Sequence, residues 1–71
     1  MGEPYTSLIR FRDGHTETFP SEHVENLGFE GVGINEGQNT RRIPWADIAV
    51  IEIFGSQGGD TPITRWNPPR R

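Results

Sequence analysis

The chain has 71 residues, 31% of them hydrophobic, with no cysteine and a formal net charge of −3. A chain this short holds one small domain, and without cysteine it has neither disulfides nor thiolate metal sites to stabilise it. So thin a core barely offsets a conformational entropy of about 1.5 kcal/mol per ordered residue, so association with itself or with a partner is the expected source of extra burial, and a homo-oligomer is predicted.

The N-terminal MGEPYTSLIRF carries no basic leader and no long apolar run, which predicts neither a signal peptide nor a membrane span. The expected location is the cytoplasm, or a virion if the chain is phage-encoded. All seven basic residues are arginine, a bias that suits a GC-rich coding background such as an actinobacterium or one of its phages. Residues 1–59 carry nine acids and four arginines, whereas residues 60–71 carry one acid and three arginines, so an acidic body ends in a basic tail.

In chain order, residues 7–20 read SLIRFRDGHTETFP, and Asp13-Gly14 is a strong hairpin signal. A two-residue loop there pairs Phe11 with Thr16, Arg10 with Glu17 and Ile9 with Thr18, with Ile9 and Phe11 on the apolar face. Pro20 ends the second strand for want of an amide proton, and Ser21 is expected to cap one turn over Glu22–Glu25. The run LGFEGVGIN, residues 27–35, predicts a strongly curved strand whose three glycines bend the sheet. Glu36–Asn39 reads as a turn.

Residues 41–54, RRIPWADIAVIEIF, predict a strand from Thr40 to Trp45, one tight helical turn over Ala46–Ile48, and a largely buried last strand from Ala49 to Phe54. In that strand Ala49, Ile51 and Ile53 are expected to share one face. The predicted fold is all-β: a small, strongly bent five-stranded antiparallel sheet or barrel, with one short helical turn before the last strand. It occupies residues 1–55, and residues 56–71 form a Gly/Pro-rich tail with no periodicity, read as mobile.

Strand, helical turn and strand after a hairpin and a glycine-rich strand, together with Ile43-Pro44-Trp45, two residues and Ile48, resemble the small β-barrels of the Sm-like or Src-homology type. The Ile-Pro-aromatic pattern also occurs in other small bacterial β domains, including pleckstrin-like ones. The chain has no N-terminal helix and no Asn-centred loop signature of the Sm family, so RNA binding does not carry over with the resemblance.

Catalytic material is sparse. Ser7, Ser21 and Ser56 lie in no nucleophile elbow, and His15 and His23 with Glu17, Glu22 and Glu25 match no metal-ligand spacing. The glycine runs GFEGVG and SQGGD open no helix that would cradle a phosphate. No catalytic, cofactor or metal residue is predicted, and the chain is read as no enzyme.

Partner-binding residues are expected at Arg41, Arg42, Trp45, Ile63, Arg65 and Trp66. Trp45 either plugs the core or lines a shallow groove in which a proline-containing tail, from a neighbouring copy, would dock. Trp66, flanked by Ile63, Arg65 and Pro68-Pro69, leaves two readings of the tail open: it folds back on its own or a neighbouring barrel, or it docks on another protein. The expected function is a structural or adaptor module that self-associates or binds a protein partner. The alternative is a nucleic-acid-binding barrel that uses Arg41, Arg42 and the tail arginines, a reading opposed by the balance of −5 in residues 1–59.

Overall fold

The computed structural model describes residues 5–55 and 61–69. They are all-β. Among the described residues no helix is long and apolar enough to cross a membrane. Strands β1 (Thr6–Phe11), β2 (Thr16–Pro20), β6 (Ile48–Phe54) and β7 (Thr64–Trp66) form an antiparallel sheet in the order β2-β1-β6-β7. Strands β3 (Val24–Asn26), β4 (Val32–Glu36) and β5 (Asn39–Ile43) form a second, in the order β3-β4-β5. The expected single five-stranded sheet or barrel is therefore corrected to two sheets that do not close by hydrogen bonding.

One core fills the space between the sheets. Ile9, Phe11, Ile48 and Ile51 come from the first sheet, Val32, Ile34 and Ile43 from the second, and Trp45 from the 3₁₀ turn that joins β5 to β6. Phe19, Val24 and Trp66 pack against its margin.

The first hairpin differs from expectation by one residue. Gly14 N–H donates to Phe11 O at 3.0 Å and Phe11 N–H to His15 O at 2.9 Å, which makes a three-residue loop of Arg12, Asp13 and Gly14. Gly14 has φ +102, a conformation that suits a glycine bulge after a tight turn. The slip pairs Ile9 with Glu17 and Arg10 with Thr16, so Glu17, not Thr16, shares the face of Ile9 and Phe11. Ser21 does not cap a turn: its hydroxyl shares a 2.7 Å hydrogen bond with that of the buried Ser7, while a 3₁₀ turn forms over Ser21–His23.

The glycine-rich run is not one strand. A 3₁₀ turn over Gly28–Glu30 interrupts it, and β4 starts only at Val32. Leu27 N–H donates to Gly31 O at 2.9 Å and Gly28 N–H to Asn26 Oδ1 at 2.8 Å, which closes the turn on itself. Gly31 is required on two counts: its φ is +126, and a Cβ there would overlap the Ile43 carbonyl oxygen. The predicted turn at Glu36–Asn39 is present as the β4–β5 hairpin, with Glu36 paired to Asn39.

The helical turn before β6 is present one residue earlier than expected, over Trp45–Asp47: β5 ends at Ile43, Trp45 belongs to the turn and Ile48 to β6. In β6 the expected facing of Ala49 is corrected. Arg10 pairs with Val50 but Phe11 with Ile48, so Ala49 is a bulged extra residue, exposed, and Ile48 takes the inward position.

Thr64–Trp66, read from the sequence as part of an aperiodic tail, is an edge strand that pairs Ile51 with Trp66 and Ile53 with Thr64. Continuing that register would bring Pro68 and Pro69 opposite Ala49 and Ile48. Proline has no amide proton to donate, so the ladder stops.

Candidate functional site

A cleft of about 670 Å³ on the described surface is lined by Arg12, Phe29, Glu30, Trp45, Pro68 and Pro69, with Pro44 and Ala46 in its floor. The floor is the 3₁₀ turn after β5. Pro44 holds extended backbone that feeds this turn, and Asp47 N–H closes it on Pro44 O at 3.0 Å. Trp45 is buried, 8% exposed, and its indole Nε1–H donates to Gly28 O. Trp45 thus belongs to the core and also lines the cleft.

That hydrogen bond ties the floor to the wall. Phe29 stands on the Gly28–Glu30 turn, 85% exposed, the most exposed large hydrophobic among the described residues. The closed turn and the Trp45 bond fix the backbone on which Phe29 stands. A smaller hollow of about 200 Å³ adjoins, lined by Asn26, Gly28, Phe29, Trp45, Asn67 and Pro69. The segment after β7 therefore forms the far wall, in its own molecule, beside Trp45.

The other sequence-predicted residues lie elsewhere. Arg41, on β5, donates from both terminal guanidinium nitrogens to the Glu17 carboxylate on β2, at 2.8 and 3.0 Å. Arg42 is exposed, and as the next strand residue it points to the opposite face. Arg65, on β7, donates to Glu52 Oε2 at 3.1 Å, and Arg10 donates to Glu52 Oε1 at 2.8 Å. Glu52 is thus clamped on the outer face of the four-stranded sheet, with its carboxyl held below the usual glutamate range by Arg10 and then Arg65. Trp66 is half-buried against the core, and Ile63 is 58% exposed beside Gly55. Arg70 and Arg71, the last of the tail arginines, lie outside the described residues.

A second charged group surrounds the hairpin tip. The His15 ring stacks on Phe11, with centroids 4.1 Å apart, and lies between Asp13 and Glu17. Hydrogen bonds to Asp13 and then Glu17 raise the His15 pKa above its ordinary 6.5. In return, the His15 backbone and ring hold Asp13 below the usual range, and Arg41 and then His15 lower Glu17. Among the described residues no group of three or more His, Cys, Asp or Glu has the arrangement to hold a metal ion.

Sequence reasoning missed Phe29, Glu30 and Arg12. The signal was the Gly-Phe-Glu-Gly run, in which glycines bracket an aromatic residue and mark a turn as readily as a bent strand. No protein-family model, characterised protein or solved structure matches the chain.

Proposed function

We propose that this chain is a non-enzymatic adaptor: a small β scaffold that presents the Phe29–Trp45 cleft to a protein partner, another copy of itself included. The observation that carries the reading is Phe29, 85% exposed on a turn whose backbone is closed by hydrogen bonds. An aromatic ring displayed in water gains nothing for the monomer, and aromatic side chains in such positions are the usual anchors of protein interfaces. Arg10, Arg41 and Arg65 are engaged in ion pairs with Glu52 and Glu17, a use of charge that supports the scaffold rather than a reaction.

A nucleic-acid surface built on Arg41 and Arg65 is less well supported. Each already gives its guanidinium to a carboxylate, and a phosphate would have to displace Glu17 or Glu52.

Selection from a phage-displayed peptide library on immobilised chain, with Phe29→Ser as the counter-target, tests the proposal. Peptides that bind the native chain and lose it on Phe29→Ser are expected. Enriched peptides that bind both proteins equally, or none, overturn the cleft as the binding face.

A further inference from the structure

We infer that the cleft receives a second copy of this chain, docked about a two-fold axis so that Phe29 of each protomer enters the cleft of the other. The inference rests on the cleft being a protein-binding face, and it names the occupant.

Knob and hole lie on one surface. Phe29 projects at 85% exposure from the rim of a hollow of about 670 Å³ that it helps to line. A self-complementary patch needs this property, because in a two-fold contact each residue that touches a partner residue is touched in the same way by its counterpart. The two Phe29 rings would bury on the order of 150–250 Å² each, and they would form the aromatic centre of the contact.

The charges at the ends of the floor have the same self-complementarity. Arg12 N–H donates to Asp47 O at 3.0 Å, which sets Arg12 at the end of the 3₁₀ turn. Glu30 precedes Gly31, where an added Cβ would overlap the Ile43 carbonyl oxygen and lie 2.9 Å from Pro44 Cα, which sets Glu30 beside the start of that turn. Both line the cleft, and neither forms an ion pair among the described residues. Laying two such floors antiparallel across the axis puts Arg12 against the partner's Glu30, and Glu30 against the partner's Arg12. A partner carrying one sign of charge would meet repulsion at one end.

The size of the molecule agrees with a small interface. A standard contact takes about 800 Å² from each partner, roughly a sixth of the 5130 Å² surface here, and the cleft with its rim supplies the centre of such a patch. The expected dimer is of modest affinity, in the micromolar range, with most of its binding energy in the two rings.

Sedimentation velocity of the full chain from about 1 to about 500 µM tests this. The native chain is expected to shift from monomer to dimer across that range. Phe29→Ser is expected to stay monomeric while its circular dichroism and melting temperature remain those of the native chain, because the ring buries little in the monomer. Arg12→Glu and Glu30→Arg are each expected to weaken the dimer about tenfold or more by setting like charges together twice, and the double variant to recover it. A native chain that stays monomeric, or a Phe29→Ser that dimerises as well as the native chain, overturns the second-copy assignment. A double variant no better than the single ones overturns the two-fold arrangement. If the chain is monomeric yet binds selected peptides through Phe29, the adaptor reading stands and only the occupant is wrong.

Discussion

Arg41 and Glu17 come from strands of different sheets, yet their side chains meet in a two-pronged ion pair, Nη1 to Oε1 at 2.8 Å and Nη2 to Oε2 at 3.0 Å. β2 and β5 are the edge strands of those sheets, and no backbone ladder joins them. Side-chain chemistry therefore spans a seam that a closed barrel would span with hydrogen-bonded backbone. The pairing depends on the one-residue slip of the first hairpin, which turns Glu17 towards the second sheet.

The seam should be measurable and modest. Arg41 is 42% and Glu17 28% exposed in their side chains, so the pair belongs with surface ion pairs, near the upper end of about 0.2–1 kcal/mol because it is bidentate. A double-mutant cycle with Arg41→Ala and Glu17→Ala, read by urea unfolding, is expected to give a coupling of about 0.5–1 kcal/mol. That coupling should shrink by about half or more in about 1 M salt, where the screening length is only about 3 Å. Strict additivity of the two changes would show that the pair holds nothing together.

His15 makes stability depend on pH near neutrality. Its doubly protonated ring can donate to Asp13 and Glu17 at once, whereas the neutral ring keeps a single N–H, which is why its pKa is raised. The contribution is complete below the unfolded value of 6.5 and is lost as pH rises through the higher folded value. The native chain should accordingly melt at a higher temperature at pH 6 than at pH 8.5, and His15→Gln should flatten that slope. An unchanged slope in the variant would assign the pH dependence to other groups. Glu17 acts in the opposite range: its carboxylate stabilises above its ordinary value and the gain is lost as pH falls through the lowered one.

Gly31 and Gly14 should respond differently to alanine. A Cβ on Gly14 meets no atom within 4 Å, so Gly14→Ala carries only the cost of its φ of +102, about 1–2 kcal/mol. A Cβ on Gly31 overlaps the Ile43 carbonyl oxygen and lies 2.9 Å from Pro44 Cα, so the turn and β5 must separate. Gly31→Ala is expected to cost more than about 3 kcal/mol or to prevent folding. Equal unfolding midpoints for the two variants in urea would remove the close approach from the account.

The edge strand β7 should contribute through Trp66 more than through its neighbours. Trp66→Ala removes a half-buried ring packed against the core and is expected to cost about 1–2 kcal/mol, less than half the usual figure for a fully buried aromatic residue. Ile63→Ala, at 58% exposure, should stay within about 0.5 kcal/mol of the native chain. Thermal melts that rank the two the other way would contradict the packing of β7 on β6.

The sequence by itself determined the all-β class, the turn at Glu36–Asn39 and a short helical turn just after Pro44. These are local matters, set by alternation of apolar residues, by proline without an amide proton, and by turn residues within a few positions of one another. Tertiary structure decided the remainder. The register of the first hairpin turned on one glycine bulge, and a slip of one residue moves every side chain to the other face. The Ala49 bulge put Ile48 in the core in place of Ala49. The tail became a strand because β6 offered Ile51–Ile53 an unpaired edge, which no pattern in residues 64–66 announces. The cleft joins Arg12, Phe29, Trp45 and Pro69, residues far apart in the chain, through contacts set by the Gly31 approach to β5 and the Trp45 bond to Gly28. Local propensity is read along the chain, whereas a binding surface is made by whichever segments the packed core brings side by side.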